Sequence, residues 1–428
     1  MKIGVIGTGY VGLVSGVMFT TESHDVLCID SDINKIEKLK NGECIIYENE
    51  LEIHLKQAIE RRKIVFSCDY SDLKSCEAVF ICVGTPSKPD GSTNLAFVYD
   101  AVENAAKNIG EDVLIIIKST VPPGTCNELH SYLHNKNFKH KLASNPEFLR
   151  EGSAIYDYNN PDRIIFGTAH DSSFKVLEKI YKNKIDKNIP IVITDTNTSE
   201  LIKYTSNSFL AIKLAFLNEI ANLCEKIEAD ISKLSKGVGL DKRIGKLFLK
   251  SGPGYGGSCF PKDTSALSLL ASKNGCASQI LDAAIDSNLS RYGLMKDKII
   301  NATGKIGNIS VLGVSFKAGT DDVRESPAVE IIKLLVDDGC KVSVYDPIAL
   351  ENFKKYNLKN VKYNSSILDC CKMADSVVIL TEWEEFAKIN WEEIGKIVAN
   401  KVLLDLRKVA DEEYAVKSGF KYYTVGRK

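Results

Sequence analysis

An apolar run, Lys2-Ile3-Gly4-Val5-Ile6, leads directly into Gly7-Thr8-Gly9-Tyr10-Val11-Gly12, and the residues from Leu13 to Thr20 are mostly apolar and helix-compatible. A second run, Asp25-Val26-Leu27-Cys28-Ile29-Asp30, ends on an acid eighteen residues after Gly12. A GxGxxG pattern alone is weak. Placed after a strand, opening a helix and followed by a strand that ends in Asp, it fits the dinucleotide-binding fingerprint and commits the chain to an α/β start. The glycines let a pyrophosphate sit at a helix N-terminus, whose N–H groups and dipole favour an anion. Asp30 would accept from the adenosine ribose hydroxyls and repel a 2′-phosphate, so the turn reads as a site for NAD rather than NADP.

Ala78-Val79-Phe80-Ile81-Cys82-Val83 and Val113-Leu114-Ile115-Ile116-Ile117 are near-continuous apolar runs, suited to parallel strands buried on both faces. Each ends in a polar loop, Gly84-Thr85-Pro86 and Lys118-Ser119-Thr120-Val121-Pro122-Pro123-Gly124. Both loops are thereby expected at the carboxyl edge of the sheet, where doubly wound folds bind ligands. Asn145-Pro146-Glu147-Phe148-Leu149-Arg150-Glu151-Gly152 carries two carboxylates four apart, one turn if the segment is helical. A solvated helix face would explain that pair equally well. The first domain is expected over residues 1–190.

Asn197 followed by Glu200 has the spacing of a capping box, and no Pro or Gly interrupts the chain from there to about Ala229. One long helix is expected. Its apolar residues, among them Leu201, Phe209, Leu210, Ile212, Phe216, Leu217, Ile220 and Leu223, cover more than one stripe. Such a helix packs between two bodies, which predicts a homodimer built on it. Lys203 and Asn207 share a face near its start; by themselves they would be ordinary solvent-facing residues. The helix belongs to a central region, 191–300, that also holds Gly252-Pro253-Gly254-Tyr255-Gly256-Gly257-Ser258-Cys259-Phe260-Pro261-Lys262-Asp263. Four glycines bring flexible backbone up to one thiol with a cation and a carboxylate just behind it. A nearby Lys favours the nucleophilic thiolate. An unreactive buried cysteine is the usual alternative, and these neighbours argue against it.

From about residue 301 the opening plan returns. Asn308-Ile309-Ser310-Val311-Leu312-Gly313-Val314 begins a strand, Ser326-Pro327 opens a helix through about Asp337, and Lys341-Val342-Ser343-Val344-Tyr345-Asp346 is a second strand ending in Asp. Between them stands Phe316-Lys317-Ala318-Gly319-Thr320-Asp321-Asp322-Val323-Arg324-Glu325-Ser326 in place of the glycine turn. This loop is longer and bears two cations, which suits an anionic ligand gripped by side chains. Residues 301–428 are therefore expected to form a second Rossmann-like domain, with further strands running into Thr381-Glu382-Trp383 and Asp405-Leu406-Arg407. The fold class expected is α/β, two Rossmann-like doubly wound domains joined by a long central helix.

Two or three domains suit 428 residues. A formal net charge of -1 offers no field for nucleic acid or an anionic membrane. The twelve cysteines are scattered, with no CxxC and no zinc spacing, so no metal is expected and the thiols read as reduced. The first strand starts at Lys2, and no apolar run reaches the length of a membrane span. The cytoplasm is the expected location.

Taken in order, GTGYVG, FICVGTP, KSTVPPGT, NPEFLREG, ELIKYTSN, GYGGSCFPKD, FKAGTDDVRESP and ILTEW run through almost the whole chain. The set resembles the NAD-dependent nucleotide-sugar dehydrogenases of the UDP-glucose/GDP-mannose dehydrogenase family. The resemblance implies oxidation of a sugar's primary alcohol to a carboxylate in four electrons, with two NAD used in succession. It makes Cys259 the nucleophile that traps the aldehyde as a thiohemiacetal and later carries a thioester. Lys203 and Asn207 would hold the oxyanion, Asp263 would act as base through an ordered water, and Glu147, with Thr120 nearby, would activate water for hydrolysis. For NAD it implies Gly7, Gly9, Gly12, Asp30, Lys35, Thr85, Thr120, Glu151 and Arg324. For the substrate, expected to be UDP-glucose, it implies Phe148, Leu149, Lys203, Asn207, Arg243, Phe248, Lys250, Gly256, Phe316, Lys317 and Arg407, with Arg243 reaching a neighbouring subunit's sugar.

GDP-mannose and UDP-N-acetylmannosamine dehydrogenases share nearly all these motifs, and Thr381-Glu382-Trp383 leans towards UDP-glucose. Two-electron β-hydroxyacid dehydrogenases also use a Lys-x-x-x-Asn helix but need neither the thiol nor a second Rossmann-like domain. A non-catalytic nucleotide sensor on the same fold would be favoured by loss of Cys259, Lys203 or Asp263, and all three are present.

Overall fold

The computed structural model describes residues 1–428, which divide into two compact units, Met1–Ser206 and Asn207–Lys428. The first unit is built on eight strands: β1 Lys2–Ile6, β2 Asp25–Ile29, β3 Ile64–Ser67, β4 Ala78–Ile81, β5 Leu114–Ile117, β6 Leu142–Ser144, β7 Ile164–Gly167 and β8 Ile191–Thr194. They lie in the order β3-β2-β1-β4-β5-β6-β7-β8, parallel except where β7 meets β6. The chain order reverses between β1 and β4, so the crevice beyond their carboxyl ends is the topological switch point. Alternate residues of β4 enter opposite layers: Ala78 and Phe80 one apolar cluster, Val79 and Ile81 the other. Helices must cover both faces, which is why these strands are apolar throughout.

The second unit repeats the design with β9 Asn308–Leu312, β10 Lys341–Tyr345, β11 Val361–Tyr363, β12 Ser376–Ile379, β13 Val402–Asp405 and β14 Lys421–Thr424. Their order, β11-β10-β9-β12-β13-β14, matches that of the first six strands, and every pairing is parallel. Val377 and Ile379 face one cluster, Val378 and Leu380 the other.

A helix of 32 residues, Thr196–Ile227, is the link, and the boundary between the units falls inside it. Its start differs from the capping box expected at Asn197 and Glu200. Asp195 is the cap, accepting from the Thr198 amide at 2.9 Å and the Thr198 hydroxyl at 2.6 Å. Glu200 instead turns inward and accepts from the Gly124 amide at 2.7 Å and the Cys126 amide at 2.8 Å. It thus serves the first turn of another helix, Thr125–Asn135. Spacing alone could not distinguish a local cap from one given to a neighbour. No helix is long and apolar enough to cross a membrane.

Candidate active site

In the first unit the expected cofactor residues gather along the carboxyl edge of the sheet. Gly9 precedes the helix Tyr10–Thr21, and a Cβ placed on it would meet no atom within 4 Å. A Cβ on Gly12 would lie 1.8 Å from the Gly7 carbonyl oxygen, so only glycine lets this helix start so close to the turn. The turn thus offers open backbone at the start of the helix, with room for a ligand to approach. Asp30 accepts from the Thr8 amide at 2.9 Å, the Thr8 hydroxyl at 2.7 Å and the Asp32 amide at 3.0 Å. Burial raises its carboxyl, but these donors and the charge of Lys35 outweigh that and hold it below the usual carboxylate value. It is an anion fixed at the turn, half-buried, as a ribose acceptor must be. Thr85 is buried after β4, and Thr120 half-buried after β5. These residues fit NAD.

The Asn145–Glu151 segment is not helical, so Glu147 and Glu151 do not form the one-turn pair that helical spacing would give. Pro146 removes an amide donor and biases Asn145 away from the helical region. Glu147 is buried and its Oε1 accepts from Lys203 Nζ at 3.0 Å. The Phe148 ring, half-buried, lies 5.2 Å from Lys203 Nζ and 3.5 Å from the Arg163 guanidinium carbon. Neighbouring Leu149 and Glu151 are also half-buried. The Asn145 side chain anchors the segment's start. Its oxygen accepts from the Tyr181 hydroxyl at 2.6 Å and from Lys118 at 3.3 Å, and its amide donates to the Ile165 carbonyl at 2.8 Å.

In the second unit, Cys259 stands at the N-terminus of the helix Phe260–Lys273, where a developing negative charge on sulfur meets free N–H groups. Its Sγ is 3.7 Å from the Ser258 hydroxyl. One turn on, Asp263 is fully buried, forms an ion pair with Lys262 and accepts from the Asn207 amide at 2.6 Å. The neighbouring lysine of the motif therefore serves the carboxylate. A Cβ on Gly256 would fall 2.0 Å from the Glu325 carbonyl oxygen, and one on Gly257 would fall 2.7 Å from the Phe316 ring. The glycines thus seat the thiol loop against the Phe316–Ser326 loop.

That second loop is clamped at its base. Asp346 stands at the end of β10 as Asp30 does at the end of β2, yet it is buried and already engaged. Its side chain accepts from the amides of Val314 at 2.8 Å, Ser315 at 3.1 Å, Ile348 at 3.0 Å and Ala349 at 2.7 Å, and from the Trp383 indole at 3.2 Å. The acid that ends the second strand of the first sheet has a counterpart here that serves as a strut. Arg407 donates to the Leu380 carbonyl at 2.8 Å and the Phe316 carbonyl at 3.1 Å. Phe316 and Lys317 are half-buried, the Lys317 Nζ 5.5 Å from its neighbour's ring. Arg324 is held by the buried Asp322 at 2.6 Å. Phe248 packs against Phe260 with ring centres 6.0 Å apart. Lys250 is exposed, and so is Arg243, which pairs with Asp241 at 2.7 Å.

Sequence reasoning missed the residues that hold the thiol loop from behind. Asn288, Arg291 and Tyr292 all come from the helix Gln279–Thr303, and all are buried. Asn288 Oδ1 accepts from the Tyr255 amide at 2.8 Å, and its amide donates to the Tyr255 carbonyl at 3.1 Å. Arg291 Nε donates to the Gly252 carbonyl at 2.6 Å. A signal was available: Leu281, Ala284, Asn288, Arg291, Met295 and Ile299 form one buried stripe at helical spacing, with two polar residues where apolar ones belong.

A Rossmann sheet with an open glycine turn, a second Rossmann sheet with a two-cation loop, and a thiol at a helix start are the marks of an NAD-dependent nucleotide-sugar dehydrogenase. Comparison with known proteins makes the assignment particular. Family models describe residues 1–185 as an NAD binding domain, 197–290 as a central domain and 310–412 as a UDP binding domain, and this chain belongs to the UDP-glucose/GDP-mannose dehydrogenase family. It is 50% identical over 433 residues to the UDP-glucose 6-dehydrogenase of Rickettsia bellii, covering 100% of both chains. A Bacillus subtilis UDP-glucose 6-dehydrogenase is 41% identical, with 100% of this chain and 98% of the relative covered. Among solved structures, a UDP-glucose dehydrogenase of Pyrobaculum islandicum superposes with a TM-score of 0.91 at 34% identity, over 100% of this chain and 98% of that one.

Proposed function

We propose that this chain oxidises UDP-glucose to UDP-glucuronate in two successive two-electron steps, with Cys259 as the covalent station between them. The observation that carries the reading is the setting of Cys259, at a helix start in a glycine loop, one turn from a buried Asp263 bonded to Asn207. The full-length similarity to UDP-glucose 6-dehydrogenases supports the choice of sugar.

NAD, to which Gly7, Gly9, Gly12, Asp30, Lys35, Thr85, Thr120 and Glu151 of the first unit and Arg324 of the second are assigned, would supply the hydride acceptor in each oxidation. In the first step Asp263, through water, takes the proton of the sugar's 6-hydroxyl as the hydride leaves C6. The Cys259 thiolate then adds to the aldehyde carbon, and Lys203 and Asn207 stabilise the alkoxide of the thiohemiacetal. Loss of a second hydride from that carbon leaves a thioester. Glu147, with Thr120 nearby, deprotonates the water that attacks it, and the carboxylate departs as the C–S bond breaks and the thiolate is restored. Phe148, Leu149, Arg243, Phe248, Lys250, Gly256, Phe316, Lys317 and Arg407 are assigned to hold the nucleotide sugar.

The reading includes a homodimer through the long helix. Phe209, Phe216 and Leu223 recur every seven residues and are 61%, 60% and 51% exposed, a stripe that a second copy of the helix would cover. The cytoplasm is the proposed location, in keeping with twelve free thiols. A three-part division at about residues 190 and 300 into cofactor, dimerisation and nucleotide-sugar regions goes with it.

The test is stoichiometry. Purified protein offered UDP-glucose, UDP-galactose, GDP-mannose or UDP-N-acetylmannosamine should turn over UDP-glucose fastest and release two NADH per sugar. A ratio near one, or undiminished turnover in Cys259→Ala, rules the mechanism out.

A further inference from the structure

The segment from Gly252 to Asp263 is hydrogen-bonded to the long helix near both its ends, and between them Tyr255 packs in one apolar cluster with Ala211 and Ala215 of that helix. At its far end Asp263 accepts from Asn207 at 2.6 Å. At its near end the Gly252 amide donates to Asn218 Oδ1 at 2.9 Å. Asn207 and Asn218 are eleven residues apart on the same helix. Eleven residues make three turns with roughly 20° left over, so both amides stand on one stripe, about 16 Å apart along the axis. Both residues are buried, at 7% and 3% exposure.

Arg291 closes the near end. Its Nε donates to the Gly252 carbonyl at 2.6 Å, and its Nη1 donates to the Asn218 carbonyl and to Asn222 Oδ1, each at 3.1 Å. Gly252 is thus held on both sides, its N–H by Asn218 and its carbonyl by Arg291. The guanidinium is 2% exposed and has no carboxylate within ion-pair distance. Burial brings it down to about 10, and its Nη2 has no hydrogen-bond partner. A buried, incompletely satisfied cation costs stability, and an apolar residue in this stripe would avoid that cost. What the arginine does that an apolar residue cannot is bind the loop's carbonyl and the helix's carbonyl at once.

We propose that Asn218 and Arg291 are positioning residues for the catalytic thiol: they fix the start of the Cys259 loop to the same helix stripe whose other end, Asn207, fixes Asp263. Neither touches the reacting atoms. They set the distance along the helix over which the loop must stretch, and so where Cys259 stands. This inference rests on the covalent role given to Cys259 above.

The test uses the full-length enzyme with Asn218→Ala, Asn218→Asp and Arg291→Lys, and Cys259→Ala as a control. Aspartate keeps an acceptor for the Gly252 amide; alanine does not. Lysine keeps the charge but replaces the planar fork, whose Nε and Nη1 meet the two carbonyls separately, with a single nitrogen on a shorter reach. Two readouts are taken: steady-state kinetics with UDP-glucose and NAD, and the pH profile of iodoacetamide alkylation at Cys259, followed by mass spectrometry of its peptide. Asn218→Ala and Arg291→Lys should lower kcat by about 10- to 100-fold, the scale on which small misplacements act. KM for UDP-glucose should move less than about threefold, and the alkylation profile should shift along the pH axis. Asn218→Asp should stay within about threefold of wild type in kcat. The inference is overturned if kcat and the alkylation profile are unchanged in folded Asn218→Ala or Arg291→Lys, or if Ala and Asp at 218 behave alike. If one loss variant does not fold, the other decides; failure of both to fold would mark the pair as structural and overturn the positioning role. Undiminished turnover in Cys259→Ala would instead remove the reading on which the inference stands.

Discussion

Lys203 Nζ lies 3.0 Å from Glu147 Oε1, with 5% and 6% of the two side chains exposed. Removing one partner of such a pair leaves the other charge buried alone, so Glu147→Ala should cost about 3 to 5 kcal/mol, measured by urea unfolding. Glu147→Gln keeps an acceptor for Lys203 and should cost less. It also removes the proposed base for thioester hydrolysis. In a stopped-flow experiment it should show a burst of two NADH per active site and then slow turnover; no burst would assign the slow step elsewhere.

Asp30 holds the cofactor turn through Thr8 and Asp32 and is assigned to the ribose. Asp30→Ala removes charge-assisted hydrogen bonds worth about 1.5 to 3 kcal/mol. Raised KM for NAD by about 10- to 100-fold, with KM for UDP-glucose little changed, is the expected kinetic result.

A Cβ on Gly256 would sit 2.0 Å from a backbone oxygen of the neighbouring loop, and no side-chain rotation relieves that clash. Gly256→Ala should therefore displace one loop from the other and destabilise the protein by about 1 to 3 kcal/mol, the usual range for overpacking. Thermal unfolding measures the loss. Gly9→Ala, where the added methyl meets nothing within 4 Å, should leave the melting temperature nearly unchanged while weakening NAD binding.

Glu200 is 2% exposed, and burial pushes its carboxyl up to about 7 against the pull of the Cys126 and Gly124 contacts. An acid with a raised folded value keeps its proton in the native state when the unfolded chain has lost it. Between about pH 4.5 and 7 the native state therefore binds more protons, and this group's contribution to stability declines as pH rises through that window. The decline is on the order of 3 kcal/mol. Glu200→Gln should flatten it, seen by comparing denaturant midpoints of the two proteins from pH 5 to pH 8.

Much of this could be read along the chain because its signals are local. The glycine turn, the apolar runs of β4 and β5 and the 32-residue helix each declare themselves within a short window, since backbone sterics and hydrophobic period act between near neighbours. The sequence misled, or left the choice open, where a short pattern had more than one use. Glu200 has the spacing of a local cap but caps a helix 75 residues earlier. Glu147 and Glu151 have helical spacing, but Pro146 keeps their segment out of a helix. Asp346 repeats the place of Asp30, yet only its burial and five contacts from Val314, Ser315, Ile348, Ala349 and Trp383 show that it braces a loop.

By itself the sequence determined the two-fold Rossmann plan, the glycine turn and the position of the thiol loop, because glycine conformation and strand period are properties of residues and their immediate neighbours. Which groups meet was decided by tertiary structure alone. Asn207 with Asp263, Lys203 with Glu147 and Arg291 with Gly252 are joined across 56, 56 and 39 residues. Partners so far apart are selected by packing and by the need to satisfy every buried polar group, and neither of those is written in any one stretch of the chain.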